Sequence, residues 1–221
     1  MERKIILEKE KDDFTFTRVK KNEYEITFTI QNNFIHLPSI INFDLLNLLY
    51  ELNKDIFERI TLDKINEHSA ITSLLMKHFF VDLGLSQKYA YFHIEKKETN
   101  KETNKEPNKE TNKEKYYINF NSKTIFAEKP EIIPDEASLV PFQDMNFSVK
   151  VETSHKVNVF CSIILQENQD IPFFIEKFMS QIMYKIFNRL KQFIEKQFIE
   201  KQFIEKQFIE KQFIEKQFID K

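Results

Sequence analysis

The chain has 221 residues, 33 basic against 35 acidic for a net charge of −2, and 41% hydrophobic side chains. That is enough for one core-forming domain with extensions, and it lacks the basic footprint of a nucleic-acid binder. A single glycine and a single cysteine exclude glycine-rich phosphate cradles, a GxSxG elbow, an intrachain disulfide and a multi-cysteine zinc cluster.

The 24 phenylalanines against no tryptophan read as the codon bias of an AT-rich genome rather than as a functional aromatic surface. Met1-Glu2-Arg3-Lys4 leads into charges, not into a long apolar run. No stretch reaches the roughly 18 apolar residues of a membrane span. The expectation is a chain without signal peptide or transmembrane segment, in an intracellular, cytoplasmic setting.

Phe14 to Val19 precedes Tyr24, Ile26, Phe28 and Ile30, which alternate with polar residues. With Lys20-Lys21-Asn22 as a turn, residues 14–30 predict a β-hairpin. Pro38-Ser39 breaks the chain, and Asn42 is a candidate cap for a helix carrying Leu45, Leu46, Leu48, Leu49, Leu52, Ile56 and Ile60. Ile71, Leu74, Leu75, Phe79 and Leu83 predict a second helix from near Ser69 to Gly84, where a left-handed C-cap is wanted.

Strand patterns then return. Tyr89 to Ile94 is one. Tyr116–Phe120 and Thr124–Ala127 read as a hairpin around Asn121-Ser122-Lys123. Met145, Phe147, Val149 and Val151 alternate along another strand, and Val157 to Leu165 share a face of the next, with Ser154-His155 between them. Lys129 to Asp144, punctuated by Pro130, Pro134 and Pro141, reads as a solvated linker, with a gate over a cavity as the alternative.

The final pattern is the strongest. Asp170 is a candidate cap and Pro172 suits a first turn. From Phe174 to Ile194 a wide apolar stripe runs through Phe178, Ile182, Ile186, Phe187 and Leu190, while Glu176, Lys177, Gln181, Lys185, Arg189 and Gln192 lie off it. This helix must dock on a sheet, with Phe178 and Ile182 in its core contact.

Two repeats interrupt or extend this plan. Residues 97–112 read KETN, KETN, KEPN, KETN, too polar to bury surface, so 97–115 is expected to be a disordered loop expanding a hairpin. Residues 191–220 read KQFIE five times and then KQFID. Five residues turn a helix by about 500°, so successive Phe-Ile pairs rotate by roughly 140° and share no face. Residues 196–221 therefore read as a helical extension made by repeat expansion, and 1–195 as a single domain.

The order of a hairpin, two helices, several antiparallel strands and a long C-terminal helix resembles the helix-grip arrangement of START and polyketide-cyclase-like domains. That resemblance implies a curved sheet wrapped round a terminal helix over an apolar cavity. It covers residues 14–195 and carries over no motif residue. Three stretches, 41–65 (INFDLLNLLYELNKDIFERITLDKI), 75–91 (LMKHFFVDLGLSQKYAY) and 171–195 (IPFFIEKFMSQIMYKIFNRLKQFIE), also resemble an uncharacterised family of large nucleocytoplasmic DNA viruses. That implies a viral source, hence host cytoplasm or virion, and no assigned chemistry.

The candidates for chemistry are few. His78 and Asp82 have the i,i+4 spacing of helical metal ligands, but a third ligand and HExxH are missing, so both read as surface residues. His93 belongs to the Tyr89/Tyr91 strand face and reads as an outer-face histidine. If that face lined a cavity, it could serve a head group or act as a base. His155 reads as a turn residue. Cys161 sits in an apolar face, as a small buried hydrophobe does.

The expected class is α+β: an antiparallel sheet of about six or seven strands, two helices inserted after the first hairpin, and a long C-terminal helix packed on the sheet. The expected function is a non-enzymatic binding or interaction module with an apolar cavity between sheet and C-terminal helix. No catalytic, cofactor-binding or metal residue and no cofactor is assigned. The expected partner is an apolar small molecule or a protein, not nucleic acid. The alternative is a scaffold that self-associates through the C-terminal helix and tail.

Overall fold

The structure, a computed structural model, describes residues 3–79, 81–101, 115–126, 129–167 and 170–197. Ten strands form one sheet: β1 (Lys4–Lys9), β2 (Phe14–Lys20), β3 (Glu23–Gln31), β4 (Phe57–Asn66), β5 (Ser69–Met76), β6 (Lys88–Lys101), β7 (Lys115–Thr124), β8 (Ser138–Leu139), β9 (Phe142–Thr153) and β10 (Lys156–Leu165). Their order is β1-β2-β3-β10-β9-β7-β6-β5-β4, antiparallel throughout, with the short β8 added parallel to β6. Two short helices, α1 (Leu37–Ile40) and α2 (Asp44–Leu52), follow the first hairpin, and the long α3 (Phe173–Gln192) closes the domain. This is the expected α+β class, with more strands than expected. No helix among the described residues is long and apolar enough to cross a membrane.

The β2–β3 hairpin forms where the alternation predicts it. Asn22 sits at φ 62° in its turn, a left-handed conformation that Asn tolerates better than most residues. Its amide Nδ2 donates to the carbonyls of Gln166 and Glu167 at 3.0 and 3.2 Å, tying the turn to the approach of α3. β1 has no counterpart in the sequence reading. It is a mostly exposed edge strand whose weak pattern carries only Ile5, Ile6 and Leu7.

The expected helix from Ser69 to Gly84 is not there; Ser69–Met76 is the strand β5. Both of its faces are covered: Ala70, Thr72 and Leu74 pair beside residues of the concave face, while Leu75 packs with Tyr89 and Ile133 on the other. A strand apolar on both faces loses its period of two and mimics helical spacing. The helix expected up to Ile60 stops at Leu52. Ile60 lies in β4, opposite Leu74. Gly84 does adopt a left-handed φ of +66°, but after the short 3-10 turn Val81–Leu83.

Asn121-Ser122-Lys123 is no turn. β7 runs straight through, pairing Asn121 with Glu95 and Asn146. β6 extends to Lys101 and β7 begins at Lys115, so the strands take in the first repeat residues, and residues 102–114 lie outside those described. Residues 129–141 are not a free linker. They strap the outer sheet face, with Ile133 and Ala137 buried against Leu75 and Tyr89. Asp170 does not cap α3; it forms an ion pair with Lys21 at 2.6 Å, and Pro172 occupies the N-cap position. After α3 the chain makes one π turn, Phe193–Gln197; the repeat beyond it lies outside the described residues.

Candidate functional site

The site grows out of strand alternation. On β3, β10, β9, β7 and β6 every second residue turns to the concave side, among them Phe28, Val159, Phe147, Phe120 and Phe92. The helices lie over this face. α2 contributes Leu45, Leu46 and Leu49, and the last turns of α3 contribute Phe187 and Leu190. Rings interlock across the gap: Phe187 stacks on Phe28 at 5.3 Å and meets Phe147 edge-on at 5.7 Å.

The layers do not close completely. An inner chamber of about 130 Å³ remains between sheet, α2 and the C-terminal half of α3. Among the described residues, those of polar type in its lining are Asn42, Thr72 and Ser122. Two of these are already engaged: the Thr72 hydroxyl donates to the Thr61 carbonyl at 2.7 Å, and Asn42 Oδ1 accepts from the Asp44 amide at 2.8 Å. A pocket so lined has little to offer water and favours hydrocarbon.

A wider outer chamber of about 400 Å³ lies under the first half of α3. Here Ile175, Phe178, Met179, Ile182 and Met183 face the 76–88 segment, Val140–Phe142 and Leu165. Phe178 and Ile182, expected in a packed core, are half-buried because they line this space. Phe92 lines the inner chamber and Phe142 the outer one, and their rings, 5.9 Å apart, stand between the two. Phe79 and Phe178 make an edge contact at 5.6 Å across the mouth. Phe79, Val81, Leu85, Phe173 and Phe174 are exposed.

Polar contacts pin α3 over the chambers. Glu176, 2% exposed, accepts from both Arg18 Nη1 (2.9 and 3.1 Å to its two oxygens) and the Tyr24 hydroxyl at 2.8 Å. Burial, then this hydrogen bond, pushes the Tyr24 hydroxyl well above the ordinary phenol range. Further along, Arg189 donates to the Leu52 carbonyl, Asn53 Oδ1 and Asp55, and Lys185 also reaches Asp55 at 2.5 Å. Arg189, and after it Lys185, holds the Asp55 carboxyl well below the usual range. At the end of α3, Asn32 Nδ2 donates to the Ile194 carbonyl at 2.6 Å and Lys191 Nζ to the Thr29 carbonyl at 2.5 Å. The first satisfies a carbonyl at the helix terminus, and the second ties the helix end to β3.

The residues singled out from sequence stand apart from the chambers. His93 is on the convex face, its Nε2 2.8 Å from Ser69 Oγ. His78 is not helical; its Nε2 lies 2.5 Å from the Leu85 carbonyl oxygen, and its i,i+4 relation to Asp82 is lost. His155 sits in the β9–β10 turn with Nδ1 2.8 Å from the Ile35 carbonyl oxygen. Cys161 is 2% exposed, and burial pushes its thiol far up, the reverse of what a nucleophile needs. The chamber residues were legible only as apolar faces, because alternation does not distinguish a wall from a filled core.

No protein-family model matches the chain, and no curated protein sequence matches it. Solved structures do. The human StAR-related lipid transfer protein 5 superposes with a TM-score of 0.57 at 12% identity, covering 89% of this chain and 87% of that one. The lipid transfer and protein localization domain of human StarD13 (DLC2) gives 0.55 at 8%, covering 83% and 84%. A STAR-related lipid transfer protein fragment from Xanthomonas axonopodis gives 0.51 at 11%, covering 86% and 94%. The resemblance to a viral family gains no support from these comparisons. At such identities the likeness is one of fold, and the chain has the helix-grip fold of the START-type domains.

Proposed function

We propose that the chain is a non-enzymatic binding module for an apolar small molecule, held between the sheet and α3. The observation that carries this reading is the pair of adjoining chambers left where core packing would be expected. Protein interiors ordinarily close such space, and each unfilled volume costs stability. A wall of Phe, Ile, Leu and Met around it gains about 25 cal/mol for every Å² of apolar ligand surface removed from water. The outer chamber has the size of a small-molecule site, within the roughly 300–1,000 Å³ typical of ligand pockets. Three structural neighbours are named for lipid transfer, which favours the same kind of occupant. Binding is preferred to catalysis because the polar groups that the described residues bring to the inner lining are two hydroxyls and an amide.

The test is native mass spectrometry of the full chain incubated with phosphatidylcholine, cholesterol, hexadecanol and hexadecanoic acid in turn. A saturable one-to-one complex with at least one of them is expected. A bare chain at every concentration of all four contradicts the reading.

A further inference from the structure

The two chambers differ in chemistry, and the difference orients and classifies an occupant. The inner chamber is small. An engineered apolar cavity of about 150 Å³ takes one benzene, so 130 Å³ takes the end of one hydrocarbon chain, not two chains or a fused-ring body. Among the described residues, its lining carries no cation. The outer chamber is lined by two, Lys77 and Lys88, both exposed. Lys88 Nζ donates to the hydroxyls of Ser138 at 2.6 Å and Ser86 at 3.3 Å. Among the described residues, neither lysine has a carboxylate within ion-pair distance. The lining's one carboxylate, Asp170, is neutralised by Lys21 at 2.6 Å. Gln87, also in the lining, turns its Nε2 to Glu58 Oε2 at 2.7 Å and to the Met76 carbonyl at 2.8 Å; Glu58 keeps its charge beside the mouth and reduces, without cancelling, the field of the two lysines.

From this asymmetry we infer that the ligand is a single-chain amphiphile with one negative charge, of the long-chain carboxylate type. Its tail passes the Phe92–Phe142 pair into the inner chamber, and its head stays between Lys77 and Lys88 at the mouth. The inference rests on the apolar-binding reading above and narrows it. Hydrocarbon burial supplies most of the affinity. The two ammonium groups supply the preference for an anion, a modest one because the mouth is wet.

Displacement of Nile red, a neutral probe, from the full chain tests it. Hexadecanoate and hexadecanol share a chain and differ in head-group charge. Hexadecanoate should bind at least about threefold tighter than hexadecanol. The double variant Lys77→Gln/Lys88→Gln should abolish that ratio, by weakening hexadecanoate more than hexadecanol. Both lysines are exposed, so folding is expected to survive. Equal affinity for the two ligands overturns the charge assignment, as does a preference that persists in the double variant. Displacement by cholesterol or phosphatidylcholine at lower concentration than hexadecanoate overturns the single-chain assignment. Failure of the chain to bind Nile red or any ligand overturns the parent reading, and this one with it.

Discussion

Glu176 is a carboxylate held almost entirely out of water, and it is tolerable there only because Arg18 and Tyr24 saturate it. The helical pattern puts it off the apolar stripe, on the wet side. What reverses that is an arginine 158 residues away, and no local pattern encodes such a partner. Removing one member should therefore hurt more than removing both. Arg18→Met is expected to cost about 3–5 kcal/mol, since it strands a buried charge. The double variant Arg18→Met/Glu176→Met should recover most of that loss. Urea unfolding of the three chains checks this; a double variant no more stable than Arg18→Met would mean that the pair does not act as a unit.

α3 is the element that the sequence announces most clearly, because its stripe is long and Pro172 marks its start. The clamp that fixes its second half is not announced. Asp55 follows α2 in a turn, and its partners Lys185 and Arg189 are far along the chain. Its pKa is lowered in the folded state, so its contribution is present above the unfolded carboxyl range and fades as pH falls below about 4 toward the folded value. The groups are half-exposed, so the effect is about 1 kcal/mol or less. Asp55→Asn should lower stability at pH 7 by that amount, and the difference from wild type should shrink as the medium is acidified. Denaturant midpoints at pH 7 and pH 3 measure it; an equal difference at both pH values contradicts the clamp. β5 teaches the opposite lesson. Ile71, Leu74 and Leu75 are legible as apolar, yet their spacing reads as helical because the strap at Ile133 covers the sheet's second face. Burial on both faces erased the only signal that separates the two periods.

At the scale of the molecule, element order carried the architecture. A hairpin, a helical crossing, a run of strands and a docking helix admit few compact arrangements, and the one observed is among them despite the misread of Ser69–Met76. The chambers were not legible in the same way. Whether Phe147 and Phe187 fill space or bound it depends on distances between layers, which sequence periodicity does not contain. The chain's lack of tryptophan gives a direct way to ask. Phe147→Trp places a single tryptophan, selectively excitable at about 295 nm, on the wall of the inner chamber, where Phe147 is only half-buried and an added ring has room. Titration with a hexadecyl chain brominated at its terminal carbon should quench that tryptophan saturably, at one chain per protein, and unbrominated hexadecanol should reverse the quenching. Quenching that rises linearly without saturation, or none beyond that of free tryptophan, would contradict a ligand site beneath α3.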